Sequence, residues 1–330
     1  FWGVETVQKE KVFPIIQDLM QRKNNAFLTG NVSQLSQLFA NDPIAVKCLE
    51  REEKILEAKH RAYRERKSKL YNQTTQVFLG PDVRTENIIR FKFAEMVTWQ
   101  VLENGRLRQE RQQINHEITL ENKGKWLIKE DNYRLEPEVA TIPRPLEKPV
   151  KIYEPNRLQG ASVYRNGRYD RAAAVRYAHK WWNSYNPNFR SFSVDCTNYV
   201  SQVLYAGGIP MNYTGKVNTG WWYSGNGGPD DKWSYSWAVA HSLRWYLAEG
   251  KGIKVESAKS ARELMPGDII CYDWDGDGVW QHNTVVVGYN GAGQPLVNAH
   301  TNNSQNRYWD YQDSLAWTEK TKYLFWKILS

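Results

Sequence analysis

Ser193-Val194-Asp195-Cys196-Thr197-Asn198-Tyr199-Val200-Ser201-Gln202-Val203-Leu204-Tyr205-Ala206-Gly207-Gly208 decides how the C-terminal half of this chain folds. Tyr199, Val200, Val203 and Leu204 recur at helical spacing and give the segment one apolar face. Gly207-Gly208 stops the helix, and Asp195 or Thr197 supplies the polar residue expected at its start. Cys196 therefore stands in the first turn. There the positive end of the helix dipole favours a thiolate, and backbone N–H groups without intrahelical acceptors can receive an oxyanion. This is the setting of a nucleophilic cysteine. The competing structural role is a small residue packed in a core.

Outward from this stretch, Asp170 to Trp182 reads as an Ala-rich helix, and Tyr185-Asn186-Pro187-Asn188 turns the chain. Downstream, the long loop Pro210 to Tyr235 carries Trp221-Trp222, which either pack or line a groove for sugar or peptide. Ser236 to Leu247 is helical in pattern. A Pro266-Gly267-Asp268 turn feeds a strand over Ile269 to Tyr272. His282 opens a β-branched strand ending at Tyr289, and Pro295 to Thr301 returns beside it. A last strand lies near Tyr323 to Ile328. A thiol nucleophile needs a base, which His282 can supply, and the base needs a partner for its other ring nitrogen. Asn298 and His300, two apart and on one face of the returning strand, both fit.

Asp195-Cys196-Thr197-Asn198-Tyr199-Val200-Ser201-Gln202, Gly207-Gly208-Ile209-Pro210-Met211, Gly267-Asp268, His282 and His300-Thr301 together resemble the amidase-domain family related to the NlpC/P60 and CHAP cysteine peptidases. The resemblance covers about residue 160 to the C-terminus. It implies a papain-like core, with the cysteine helix on an antiparallel sheet. It also implies Cys196 as nucleophile, His282 as base and His300 as third member, with Asn298 the alternative. Asp195 would support the helix start, and Asn186 is a candidate oxyanion donor.

Asp273-Trp274-Asp275-Gly276-Asp277-Gly278 resembles the start of a calcium loop, but Thr284 occupies the position where an EF-hand needs a bidentate acid. The competing reading is a tight acidic turn. Calcium at Asp273, Asp275 and Asp277 is thus a candidate and not a requirement.

The first part of the chain reads as three helices, Val12 to Leu28, Val32 to Phe39 and Asp42 to about Arg66. Four strands follow, with hairpin signals at Asn104-Gly105 and Lys123-Gly124. Helices then antiparallel strands make an α+β order, similar in topology to the NTF2-like or SnoaL-like cone, with no residue motif behind that likeness. His60 and His116 read as lone histidines on charged faces. Prolines at 137, 143, 145, 149 and 155 mark a connector, and twelve of the 15 tryptophans follow it. The expected organisation is an accessory domain over 1–145, a Pro-rich linker over 146–158 and the papain-like domain over 159–330.

Three cysteines, none in CxxC spacing, argue against structural zinc and against a disulfide framework. No apolar run reaches membrane-spanning length. The net charge of +8 suits an anionic envelope, and no nucleic-acid motif accompanies it. The chain begins at Phe1 without methionine, so a removed signal or anchor fits an extracellular or envelope protein of a bacterium. The resemblance implies cysteine-dependent hydrolysis of peptidoglycan peptide or N-acyl amide bonds as the activity. The alternatives are acyl transfer by the same triad and a catalytically silent wall- or glycan-binding module.

Overall fold

The computed structural model describes residues 2–84, 87–133 and 169–329, so the connector expected at 146–158 lies outside the described residues. Backbone packing separates two units, Phe1–Leu135 with Gln312–Ala316, and Glu136–Tyr311 with Trp317–Ser330. Each combines helices with antiparallel strands, the α+β class the sequence implies.

In the first unit, α1 (Trp2–Thr29), α2 (Val32–Ser36) and α3 (Pro43–Glu65) precede β1 (Lys69–Arg84), β2 (Ile88–Glu103), β3 (Arg106–Asn122) and β4 (Trp126–Asn132). Asp42 caps α3 by accepting the Ile44 and Ala45 amides at 3.0 and 3.1 Å, with Pro43 in the first turn. Asn104 and Gly105, at φ 49° and 74°, form the two-residue turn joining β2 to β3. Along β2 the buried positions alternate, so Ile89, Phe91 and Phe93 face Ile16, Leu19 and Phe27. Each such side chain removed from water contributes roughly 2–3 kcal/mol.

That inner face also holds charge. His116 is not on a charged surface, as its neighbours in sequence suggest, but fully buried. Its Nδ1 lies 2.8 Å from Asp131 and its Nε2 3.1 Å from Glu95. Burial pulls the imidazole pKa down, but the two carboxylates outweigh it and raise the value to about 9. Lys23 pairs with buried Glu52 at 3.0 Å nearby. His60 Nε2 donates to the Phe27 carbonyl at 2.6 Å.

The second unit opens with α4 (Arg171–Trp181) and α5 (Cys196–Ala206), then the short strands β5 (Tyr223–Ser224) and β6 (Lys232–Trp233). The helix expected from Ser236 to Leu247 is two helices, α6 (Tyr235–Ala238) and α7 (Ala240–Glu249). Val239 is extended between them, its N–H closing on Tyr235 while its carbonyl accepts from Leu243. Six strands follow, β7 (Val255–Ala258), β8 (Ile269–Asp273), β9 (His282–Tyr289), β10 (Pro295–Ala299), β11 (Ser304–Tyr308) and β12 (Lys322–Ile328). Within this unit they lie in the order β11-β10-β9-β8-β12-β7. Tyr199, Val200, Val203 and Leu204 of α5 pack with Ile269, Cys271, Val285, Val287 and Trp326 of the sheet, as the apolar stripe requires.

Two close approaches fix α4 and α5. Gly207, at the end of α5, lies under Tyr169, where a Cβ would stand 2.2 Å from the ring. Arg171 at the start of α4 reaches Asp268 Oδ1 at 2.7 Å and the Ile328 carbonyl at 2.6 Å. Asp268 also accepts the Met265 and Ile328 amides. The Gly267-Asp268 turn is therefore a tie between α4, β8 and β12.

Candidate active site

Cys196 is the first residue of α5 and is 1% exposed. Its Sγ lies 3.7 Å from Thr197 Oγ1 and accepts the backbone amide of Asn283, at the open start of β9. Asn283 in turn donates its side-chain amide to Thr197 Oγ1 at 3.0 Å, so the first turn of α5 and the start of β9 are joined side to side. Burial, more than any other cause, raises the thiol pKa above its ordinary value, and the Asn283 and Thr197 hydrogen bonds offset this in part. Position at the helix start favours a thiolate, and burial acts against it.

Asp195 does not cap α5. Its carboxylate faces back along the chain instead, accepting from the Phe192 amide at 2.8 Å, Asn198 Nδ2 at 2.9 Å and His300 Nδ1 at 2.7 Å. Asn198 passes the chain on, accepting Trp237 Nε1 at 2.8 Å, and Ser201 links Trp221 Nε1 to the Trp237 carbonyl. The polar residues of the Asp-Cys-Thr-Asn-Tyr-Val-Ser-Gln run are thus buried ties. The backbone N–H groups of the first turn, left without a side-chain cap, face the thiol end of the helix.

His282 is 1% exposed and begins β9 opposite Tyr272 of β8. Its ring stacks near Trp274 and meets Tyr311 edge-on, with centroids 5.8 and 5.3 Å away. Nε2 lies 3.4 Å from the Tyr311 hydroxyl, and Nδ1 has no hydrogen-bond partner. No hydrogen bond joins His282 to Cys196. Burial and the positive charge of Arg307 lower its pKa to about 3, so the ring is a neutral imidazole at neutral pH. Asn283 Oδ1, Asn302 Nδ2 and Asn303 Oδ1 are also buried without partners. Asn302 and Asn303 directly follow Thr301, whose hydroxyl accepts the Asp195 amide at 2.9 Å.

Neither candidate for the third position meets His282. His300 Nδ1 lies 2.7 Å from Asp195 Oδ2 and Nε2 2.5 Å from the Trp181 carbonyl, and the ring stacks on Tyr199. Asn298 donates to the Ala178 carbonyl at 3.3 Å and accepts the Asn306 amide at 2.9 Å. Their shared face is the one that packs on α4, which the two-residue spacing could not distinguish from the catalytic one.

The remaining candidates serve the scaffold. Asn186 donates to the Tyr177 hydroxyl and accepts the Asn188 amide within the turn. Trp221 and Trp222 are 0% and 2% exposed and wall no groove, because the surrounding loop folds their rings into the core. Asp273 spends both oxygens on the Gly276 and Gly278 amides at 2.8 Å, and Asp277 accepts from Val279. This is the tight acidic turn, and among the described residues no three acidic, histidine or cysteine groups gather to hold a metal. Tyr311 lies against His282, and Asn283 against Cys196 and Thr197. Tyr311 follows a polar stretch without periodicity, and Asn283 was hidden in the run read only as strand.

Comparison with known proteins places the site in context. The chain is 49% identical over 162 residues to the uncharacterized protein YhbB of Bacillus subtilis, covering 49% of this chain and 50% of that one. It is 26% identical over 178 residues to the uncharacterized protein YjcM of the same organism, covering 51% and 39%. The chain thus spans half or less of the length of these curated relatives. A solved structure, the intermembrane space region of chloroplast protein ARC6, aligns at 8% identity and a TM-score of 0.25, covering 36% of this chain and 92% of that one. Residues 168–326, which hold Cys196, His282 and His300, match the family described as "Putative amidase domain".

Proposed function

We propose that the second unit is a papain-like cysteine amide hydrolase, with Cys196 as nucleophile and His282 as base. The observation that carries this reading is the junction of the first turn of α5 with the start of β9, where Asn283 bonds Thr197 and Cys196 and the neighbouring His282 keeps Nδ1 unpaired. His282 Nδ1, Asn283 Oδ1, Asn302 Nδ2 and Asn303 Oδ1 lie within a few residues of the groups that touch Cys196 or Asp195. Each such atom costs roughly 1–3 kcal/mol unless something polar meets it. An amide substrate supplies both the donor and the acceptor required.

The starting pair is neutral. As the substrate carbonyl reaches Sγ, the S–C bond forms and the thiol proton passes to the free Nδ1 of His282. The oxyanion is received by the uncapped backbone N–H groups of the first turn of α5. Collapse breaks the C–N bond, and the leaving amine takes the proton back from Nδ1. Water then attacks the thioester, giving one proton to His282, which returns it to the departing sulfur. His300 acts through Asp195, holding the loop that delivers Cys196.

The amidase match supports an amide bond as the target, and the net charge of +8 supports an anionic, envelope-associated substrate such as peptidoglycan peptide. No metal enters these steps. The first unit is read as an accessory module. The test is release of new amino groups from purified bacterial wall peptides in water enriched in oxygen-18. One heavy oxygen per new carboxylate, lost with Cys196→Ala, is the expected result. Release that continues in Cys196→Ala would refute the assignment, and product lacking the heavy oxygen would point to transfer onto an amine.

A further inference from the structure

With His300 and Asn298 engaged elsewhere, the base lacks the orienting partner that a thiol–imidazole pair needs. We infer that Tyr311 is the positioning residue for His282, and that its hydroxyl, backed by Ser304, fixes the ring in the tautomer that leaves Nδ1 open. This rests on the reading of Cys196 and His282 as nucleophile and base.

The geometry forms a relay. Nε2 of His282 lies 3.4 Å from the Tyr311 hydroxyl, which lies 3.4 Å from Ser304 Oγ. With the proton on Nε2, His282 donates to the Tyr311 oxygen, and Tyr311 donates its own proton to Ser304. Nδ1 then carries the lone pair, and it is the nitrogen without a partner. Both distances are long for a resting hydrogen bond and have room to shorten when the ring becomes imidazolium.

The placement of Tyr311 is also specific. It is 1% exposed, and its backbone sits at φ +58°, a region bulky side chains avoid. The Arg307 guanidinium lies 3.8 Å over its ring and helps hold the ring in place. Tyr272 and Trp274 close the remaining sides of the His282 ring. A phenol in this position can orient the imidazole without bringing a negative charge to it, unlike an aspartate.

The test uses the full chain labelled with nitrogen-15 in histidine, and Tyr311→Phe, which keeps the ring over Arg307 but removes the hydroxyl. Ring-nitrogen NMR, with the His282 signal assigned by its absence in His282→Gln, should show the Nε2–H tautomer in the parent. Tyr311→Phe should shift it toward a mixture or the Nδ1–H form. In parallel, alkylation of Cys196 by iodoacetamide at pH 8 should slow about tenfold or more in both His282→Ala and Tyr311→Phe, and more weakly in Ser304→Ala, with the thermal midpoint of Tyr311→Phe near the parent value. An unchanged tautomer in Tyr311→Phe overturns the proposal. If His282→Ala alone slows alkylation, Tyr311 is not the positioning residue while the pair stands. If His282→Ala has no effect either, the underlying reading fails and the proposal with it.

Discussion

At the scale of single residues, Cys196 shows how burial can reverse an expectation drawn from position. A helix-start cysteine is expected to ionise early, yet this one is enclosed and its thiol pKa lies above the ordinary value. Alkylation of Cys196 should therefore be slow at pH 7 and climb only at more alkaline pH than for an ordinary exposed thiol, with peptide mass mapping to separate it from buried Cys48 and Cys271. A fast reaction below pH 7 would show a preformed thiolate. Trp221 illustrates the other error of scale. A tryptophan on a Gly/Asn/Ser-rich loop reads equally well as binding surface or core, and only the folded loop decides. Trp221→Ala should cost about 3–5 kcal/mol of stability in urea unfolding. Cys196 and His282 were legible because each opens an element with a clear period. The contacts of His300 were not, because a two-residue spacing fixes a face without saying what covers it.

At the scale of elements, α5 is held at its start by a carboxylate that caps no backbone amide of the helix. Asp195 accepts three hydrogen bonds, so Asp195→Ala strands buried donors from Phe192, Asn198 and His300. The expected loss is about 3 kcal/mol or more, with activity falling alongside, measured by unfolding and amine release together. Asp195→Asn, which keeps an acceptor but not the charge, should lose less. The acidic turn between β8 and β9 should be indifferent to metal, since Asp273 is saturated by the Gly276 and Gly278 amides. Millimolar calcium or a chelator should leave the thermal midpoint unchanged, and a rise with calcium would restore the loop reading. Strand β9 announced itself through its β-branched run. Ser304 to Tyr308 did not, because Ser-Gln-Asn-Arg-Tyr is polar throughout and becomes a strand only by pairing with β10. The α6–α7 break escaped for the opposite reason, since Val239 leaves helical geometry inside a helix-like apolar pattern.

At the scale of the whole molecule, both units bury charged groups, and two buried histidines respond to pH in opposite ways. His116 has a folded-state pKa raised to about 9 by Asp131 and Glu95 against the pull of burial. Its contribution is therefore complete below about pH 6.5 and is lost as pH rises through about 9. The first unit should lose on the order of 3 kcal/mol across that interval in pH-dependent urea unfolding, and His116→Gln should flatten the dependence. His282 has the opposite sign. Its depressed value stabilises the neutral ring above about pH 6.5, and that contribution drains away as pH falls toward 3. Such buried ion networks are invisible in sequence, where His116, Glu95 and Asp131 stand on different strands with charged neighbours.

The measurement that bears most directly on the proposed chemistry is rapid acid quenching of the full chain during turnover of wall peptides, followed by mass spectrometry of its cysteine-containing peptides. The expected result is an acyl mass on the peptide bearing Cys196, absent from those of Cys48 and Cys271 and absent when Cys196 is replaced by alanine. Amide cleavage that proceeds at the parental rate in Cys196→Ala, with no acyl group on any cysteine of the parent, would contradict it.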